Sequence, residues 1–284
     1  SHRCGSSGGS AQAAGATATA AAAFTAACAT AATHAAAARV LPVVGRVQGT
    51  KFFLSDARVF NPGAEPMTLS LFYVPQGAGG GQAVQATRTV APGEVLALDD
   101  VVGGEFGYGE SIGQLTLIGP DNGFLATSRA YTRGGHGTFG VFVPSFEASD
   151  GIGPGERATA NGLAKGPRSH TNAGFTEISG SPATVRMDLF AGDGRFLAST
   201  TRGAPPNGSV LVTDIVRDRG LGATSNLRID FTVESAGGRV VPYATFVDDS
   251  TGDGVFAAAE SAPLSGEDIV IPQASHATGA NTEF

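Results

Sequence analysis

Two stretches of this chain combine residue types that could do chemistry. Gly109-Glu110-Ser111-Ile112-Gly113 has the Gly-x-Ser-x-Gly spacing of a nucleophile elbow. That chemistry needs a strand, a strained turn exposing the serine, and a helix whose N-terminus helps build the oxyanion hole. Here the order is wrong. A Gly-rich turn comes first and the β-patterned run Gln114-Leu115-Thr116-Leu117-Ile118 follows, which predicts an ordinary turn into a strand. The second stretch is Asp249-Ser250-Thr251-Gly252-Asp253-Gly254, with Glu260 further on. Asp249, Thr251, Asp253, Gly254 and Glu260 fall where a calcium loop places its first, third, fifth, sixth and twelfth residues. The oxygen donors suit a hard cation, but threonine is a poor third ligand and the flanks are β-patterned. A hairpin loop with solvated carboxylates is the competing reading. Asp249, Asp253 and Glu260 are the metal candidates; no catalytic residue and no cofactor is expected.

Other pairings are weaker. Asp99-Asp100 and Asp248-Asp249 are adjacent carboxylates, which point to opposite faces of a strand and could not act together. His34, His136, His170 and His276 lie far apart, with none of the close spacings a zinc site uses. Asn207-Gly208-Ser209 matches a glycosylation sequon, yet after Pro205-Pro206 it serves a turn.

The elements that must position these residues are strands. Thr68-Leu69-Ser70-Leu71-Phe72-Tyr73, Val185-Arg186-Met187-Asp188-Leu189-Phe190 and Leu227-Arg228-Ile229-Asp230-Phe231-Thr232-Val233 alternate apolar and polar positions between Gly, Pro and Asp turns. No window of helical length carries a 3.6-residue stripe. The pattern also repeats. Pro92 and Pro206, Asp100-Val101 and Asp214-Ile215, Ala130 and Ala244, and Gly140-Val141-Phe142 and Gly254-Val255-Phe256 are all 114 positions apart. Asp56 aligns with Asn172 at 116 and Leu71-Phe72 with Leu189-Phe190 at 118. The drop of four falls in one hairpin, so the Gly77–Gln82 loop is longer than its partner around Gly192-Asp193-Gly194. Length changes confined to a turn are what structural repeats show.

The expected fold is all-β: two tandem immunoglobulin-like β-sandwich domains, with an Ala-rich N-terminal arm and a C-terminal strand. The arm is 1–38, the first sandwich 39–148, a linker 149–156, the second sandwich 157–263, and a C-terminal strand 264–284. Core strands are centred on Leu71, Leu98, Leu117 and Val141, and on Leu189, Val212, Phe231 and Val255. In the C-terminal segment, Pro272 and Gly279 match Pro42 and Gly49 at 230 positions, as if a third repeat were opening.

Composition bounds the function. The net charge of −7 argues against binding a phosphate backbone, and so against nucleic acid. No apolar stretch is long enough to span a membrane as a helix. Cys4 and Cys28 could form one disulfide, which cannot scaffold 284 residues. The chain has no initiating Met, which reads as a processed or trimmed product.

Ser169-His170-Thr171-Asn172-Ala173-Gly174-Phe175, Asp188-Leu189-Phe190-Ala191-Gly192-Asp193-Gly194 and Tyr243-Ala244-Thr245-Phe246-Val247-Asp248-Asp249-Ser250-Thr251-Gly252-Asp253 resemble uncharacterised secreted bacterial proteins with tandem immunoglobulin-like repeats. The resemblance covers roughly residues 39–284. It implies an extracytoplasmic location and carries over no catalytic residue.

The expected function is therefore a non-enzymatic, extracellular or cell-surface structural subunit. It would self-assemble into filaments or a surface layer by strand exchange through 264–284 or the 1–38 arm. The alternative is an adhesin or glycan-binding module. With no Trp and four Tyr, the sequence offers few aromatics for a sugar face.

Overall fold

Pro42 interrupts the first strand and joins the two layers of the first half. The computed structural model describes residues 36–120, 123–135, 137–261, 276–277 and 280–281. Strand β1, Ala36–Gln48, pairs with β6, Ser111–Pro120, but its register shifts between Leu41 and Val44. Proline has no N–H to give a ladder, so a bulge is where it is tolerated. Beyond the bulge β1 also pairs with β2, Phe52–Phe60.

The remaining strands of this half are β3, Met67–Pro75, β4, Val84–Val90, β5, Val95–Leu98, β7, Leu125–Gly134, and β8, Gly137–Pro144. They lie in the order β4-β3-β6-β1-β2-β7-β8, with β5 added to β2. The second half contains β9, Arg157–Lys165, β10, Ser169–Glu177, β11, Ala183–Phe190, β12, Phe196–Ala204, β13, Ser209–Val212, β14, Thr224–Val233, β15, Val240–Asp248, and β16, Gly254–Ala258. Its two sheets run β12-β11-β14-β9 and β13-β10-β15-β16. These are the orders of the first half. A short hairpin, His276–Ala277 with Ala280–Asn281, is also described.

The fold is all-β, and the alternation decides which side chains go inward. In β11, Val185, Met187 and Leu189 are fully buried, while Arg186 and Asp188 lie outside and pair at 2.9 Å. Each half has its own apolar core, one around Leu69, Leu71, Leu115 and Leu117, the other around Met187, Leu189, Ile229 and Phe231. Ile152, inside the expected linker, is buried in the second core and bridges Val240, so this segment belongs to the second half. Strand β1 starts at Ala36, ahead of the change in texture at Arg39.

Pairing corrects four sequence expectations. Ala57 pairs with Ser128 as Ala173 pairs with Ala244, so Ala244 corresponds to Ser128 and not to Ala130. Leu117 pairs with Leu71, whereas Phe231 pairs with Met187, so Leu71 corresponds to Met187 and not to Leu189. Tyr73 pairs with Val84 and Leu189 with Ala198, which makes the first hairpin longer by two residues (84 − 73 against 198 − 189), not four. Val255 is exposed and Val141 only half-buried, because both sit on strands at sheet edges. Leu71, Leu98, Leu117, Leu189, Val212 and Phe231 are all buried as expected.

Two buried tyrosines make the fold alkali-sensitive. Burial pushes the Tyr73 phenol up to about 12, partly offset by its hydrogen bond to Ser111, and burial pushes Tyr243 higher still. Both remain neutral in the fold where the unfolded chain ionises, from ~pH 10 upward. Their contribution is therefore intact below ~pH 10 and is lost above it, by about 1.4 kcal/mol per pH unit for each. Urea unfolding between ~pH 9 and 12 should show this slope, and Tyr243→Phe should flatten it.

Candidate functional site: the seam between the halves

The two halves pack against each other along a polar and apolar seam. Thr176 at the end of β10 is buried, and its hydroxyl donates to the Pro42 carbonyl at 3.0 Å, the group the β1 bulge leaves free. Gln114 Nε2 donates to the carbonyl of Asn207. The longer hairpin loop of the first half lies on the Pro205–Ser209 turn: Gly80 N–H donates to the Pro206 carbonyl at 2.9 Å and Gly77 N–H to that of Ser209 at 3.3 Å. A Cβ on Gly208 would stand 2.6 Å from the Ala78 carbonyl oxygen, so the approach requires glycine. The loop extension read from the sequence is thus a clasp. Further along, Phe256 stacks on Tyr243 with ring centroids 5.3 Å apart and meets Phe146 at 6.2 Å.

Beside this seam lies a cleft of about 480 Å³. Val47, Phe53 and Val141 line it from the first half, and Leu211, Tyr243 and Val247 from the second. Its polar groups include Lys165, His170, Asn172, Asp214 and Asp249. Three of these belong to a device present in both halves. Asp214 sits in the left-handed region (φ 47°), its N–H donates to Asn172 Oδ1 at 2.9 Å, and Lys165 pairs with it at 2.9 Å. In the first half Asp100 (φ 46°) donates to Asp56 Oδ1 at 2.9 Å and pairs with Arg46. In each half the aspartate carboxylate also accepts an N–H of a short helical turn, from Gly103 and from Arg217. This arrangement holds a turn against a sheet and explains Asp56/Asn172 and Asp100/Asp214, which the sequence aligned.

His170 and Asp249 are different. His170 pairs with Val247 as Leu54 pairs with Tyr131, so the first half has Leu54 and Arg133 at these positions. The fold does not require a His–Asp pair there. His170 Nδ1 lies 2.7 Å from Asp249 Oδ1, in hydrogen-bond contact with the carboxylate. Among the described residues no hydroxyl or thiol is hydrogen bonded to His170.

Each calcium candidate has a partner of its own. Asp249 is engaged by His170, Asp253 Oδ1 accepts the Gly140 N–H at 3.2 Å across the seam, and Glu260 pairs through its backbone with Thr159. Asp248, outside the candidate set, organises the loop: backbone hydrogen bonds from Thr251 and Ser250 hold its carboxyl below the usual range. Gly252 packs against Thr132 and Phe53 of the first half. No group of three or more His, Cys, Asp or Glu side chains able to hold a metal gathers among the described residues.

Ser111 opens β6 as a strand residue. It is not idle, however, because its hydroxyl accepts the buried Tyr73 O–H at 2.7 Å. Ser111→Ala should therefore cost about 1 kcal/mol, a small but measurable shift in urea midpoint.

The sequence reading missed Glu177. This carboxylate is buried and accepts N–H groups from Ser179 at 2.7 Å, Gly180 at 3.0 Å and Asn207 at 2.7 Å. It builds the turn that the clasp grips. Cys4, Cys28, His34, His136, the run Ile269-Val270-Ile271 and the Pro272 and Gly279 matches lie outside the described residues. No helix among the described residues is long and apolar enough to cross a membrane. Protein-family models, curated proteins and solved structures provide no match to this chain.

Proposed function

We propose that this protein is a non-enzymatic, extracellular structural subunit of bacterial origin that assembles with its own copies. The observation that carries this reading is the seam itself. The first half presents its bulge and loop end to the outer sheet face of the second, so unlike surfaces meet. Contacts of that kind are heterologous, and between molecules they propagate into fibres or rings, whereas a two-fold contact stops at a dimer. The resemblance to secreted tandem-repeat proteins supports the location. Strand exchange through 264–284 or the 1–38 arm is a second route to the same assembly. Sedimentation velocity across a wide concentration range tests this reading. Species that grow with concentration are expected, and a monomer at every concentration would remove it.

One observation favours a second reading, an adhesin or glycan-binding module. The His170–Asp249 pair borders a cleft of about 480 Å³ and has no counterpart in the first half. Under that reading, glycans screened by thermal shift would stabilise the wild type and not His170→Ala.

A further inference from the structure

The internal repeat shows what covers one face of the second half, and leaves the same face of the first half open. Phe60 pairs with Val95 on β5 and Leu125 on β7, making a three-strand row on the outer face. The corresponding row of the second half is Thr176 with Ser209 and Val241. That second row is buried under the first half, through the Thr176–Pro42 and Gly77–Ser209 hydrogen bonds. Phe142 likewise corresponds to Phe256, which is packed between Tyr243 and Phe146. The most exposed large apolar side chains among the described residues are Val95 (56%), Leu125 (58%), Phe142 (60%), Phe196 (55%) and Val255 (60%). Three of these lie on the open face of the first half.

The fourth lies on the matching opposite surface. Gln114, which reaches into the seam, pairs with Val74; its counterpart Arg228 pairs with Phe190. Around Arg228, the loop end of the second half carries Phe190 and Phe196 in edge-to-face contact at 5.7 Å, with the guanidinium 4.2 Å over the Phe190 ring. This is the end that, in the first half, grips its neighbour.

We propose that the outer face of the β5-β2-β7-β8 layer docks a second copy of this chain, which seats the Phe190–Phe196 end of its second half on the Val95–Phe60–Leu125 row. The proposal rests on the self-assembly reading and gives it a surface. The internal repeat selects this pairing over a back-to-back one, because a loop end is what the first half sets on this face of the second. Arg58 and Arg129 lie in the same face, where Arg58 pairs with Asp99 at 2.7 Å. The covered face of the second half has Gly174 and Thr245 there. A face that must stay soluble before assembly keeps such a polar component, as non-obligate interfaces do.

Two exposed-site variants test it, Leu125→Glu on the face and Phe196→Glu on the loop end, with Val95→Glu in reserve should the first fail to fold. Each is expected to melt like the wild type and to sediment as a monomer. Mixed in equal amounts they retain one good surface each, so they should form dimers and stop. Wild-type assembly left unchanged by both variants, or a mixture that stays monomeric, would overturn the docking surface while leaving self-assembly standing. A wild type that never associates would overturn both. A face that becomes available only after residues 1–35 are removed would show the arm as its occupant, and would also overturn the proposal.

Discussion

Phe231→Ala is expected to lower the free energy of unfolding by about 3–5 kcal/mol. The side chain is fully buried in the centre of β14, between β11 and β9, facing Met187 and Ala158 across the ladder. Alanine removes most of the apolar area, and neighbours held by sheets on two sides cannot collapse into the space. Chemical denaturation should show the loss with little change in the denaturant slope. A shift close to zero would place Phe231 on a solvent face and sink the assigned register. Leu117, its counterpart beside Leu71, should respond in the same way within the first half.

Glu177→Ala is expected to cost about 3–5 kcal/mol, for a different reason. It leaves the N–H groups of Ser179, Gly180 and Asn207 without their acceptor in a buried turn. Because Asn207 and its neighbours also receive Gln114 and the clasp loop, the damage should spread to the seam. Hydrogen exchange is the sensitive measurement: the amides of Gly77 and Gly80 should lose protection together with those of the turn. Glu177→Gln, which keeps an acceptor oxygen, should lose less. If alanine leaves the Gly77 and Gly80 amides protected, the turn is not what holds the halves together.

Much of this fold is legible in the sequence because its inward positions alternate cleanly. Val185, Met187 and Leu189 announce β11, and the 114-position offset finds Asp100 and Asp214, whose left-handed backbones prove to be the same device. Register was harder. Leu71 resembles Leu189 chemically, but pairing matches it to Met187, since a shift of two keeps every side chain on its face and leaves the hydrophobic pattern unchanged. Val141 and Val255 look like core residues because edge strands follow the same alternation as central ones. The seam was invisible for another reason. Gly174, Thr176 and Gln114 are small or polar residues on outward positions, and only docking of the other half buries Thr176 and Gln114. A signal was present nonetheless. Outer positions of β10 carry Asn172, Gly174 and Thr176 where β2 carries Asp56, Arg58 and Phe60, and a sheet face without charge is one that is covered. Glu177 offered no such signal, since a single carboxylate at a strand end reads as solvated until the turn closes over it.

Molecules should join head to tail, the loop end of one second half seated on the outer face of the next first half. Negative-stain imaging of the wild type at high concentration tests it most directly. Open-ended assemblies are expected, with unlike surfaces meeting at every joint between molecules. Discrete two-fold dimers, or a field of single molecules, would contradict it.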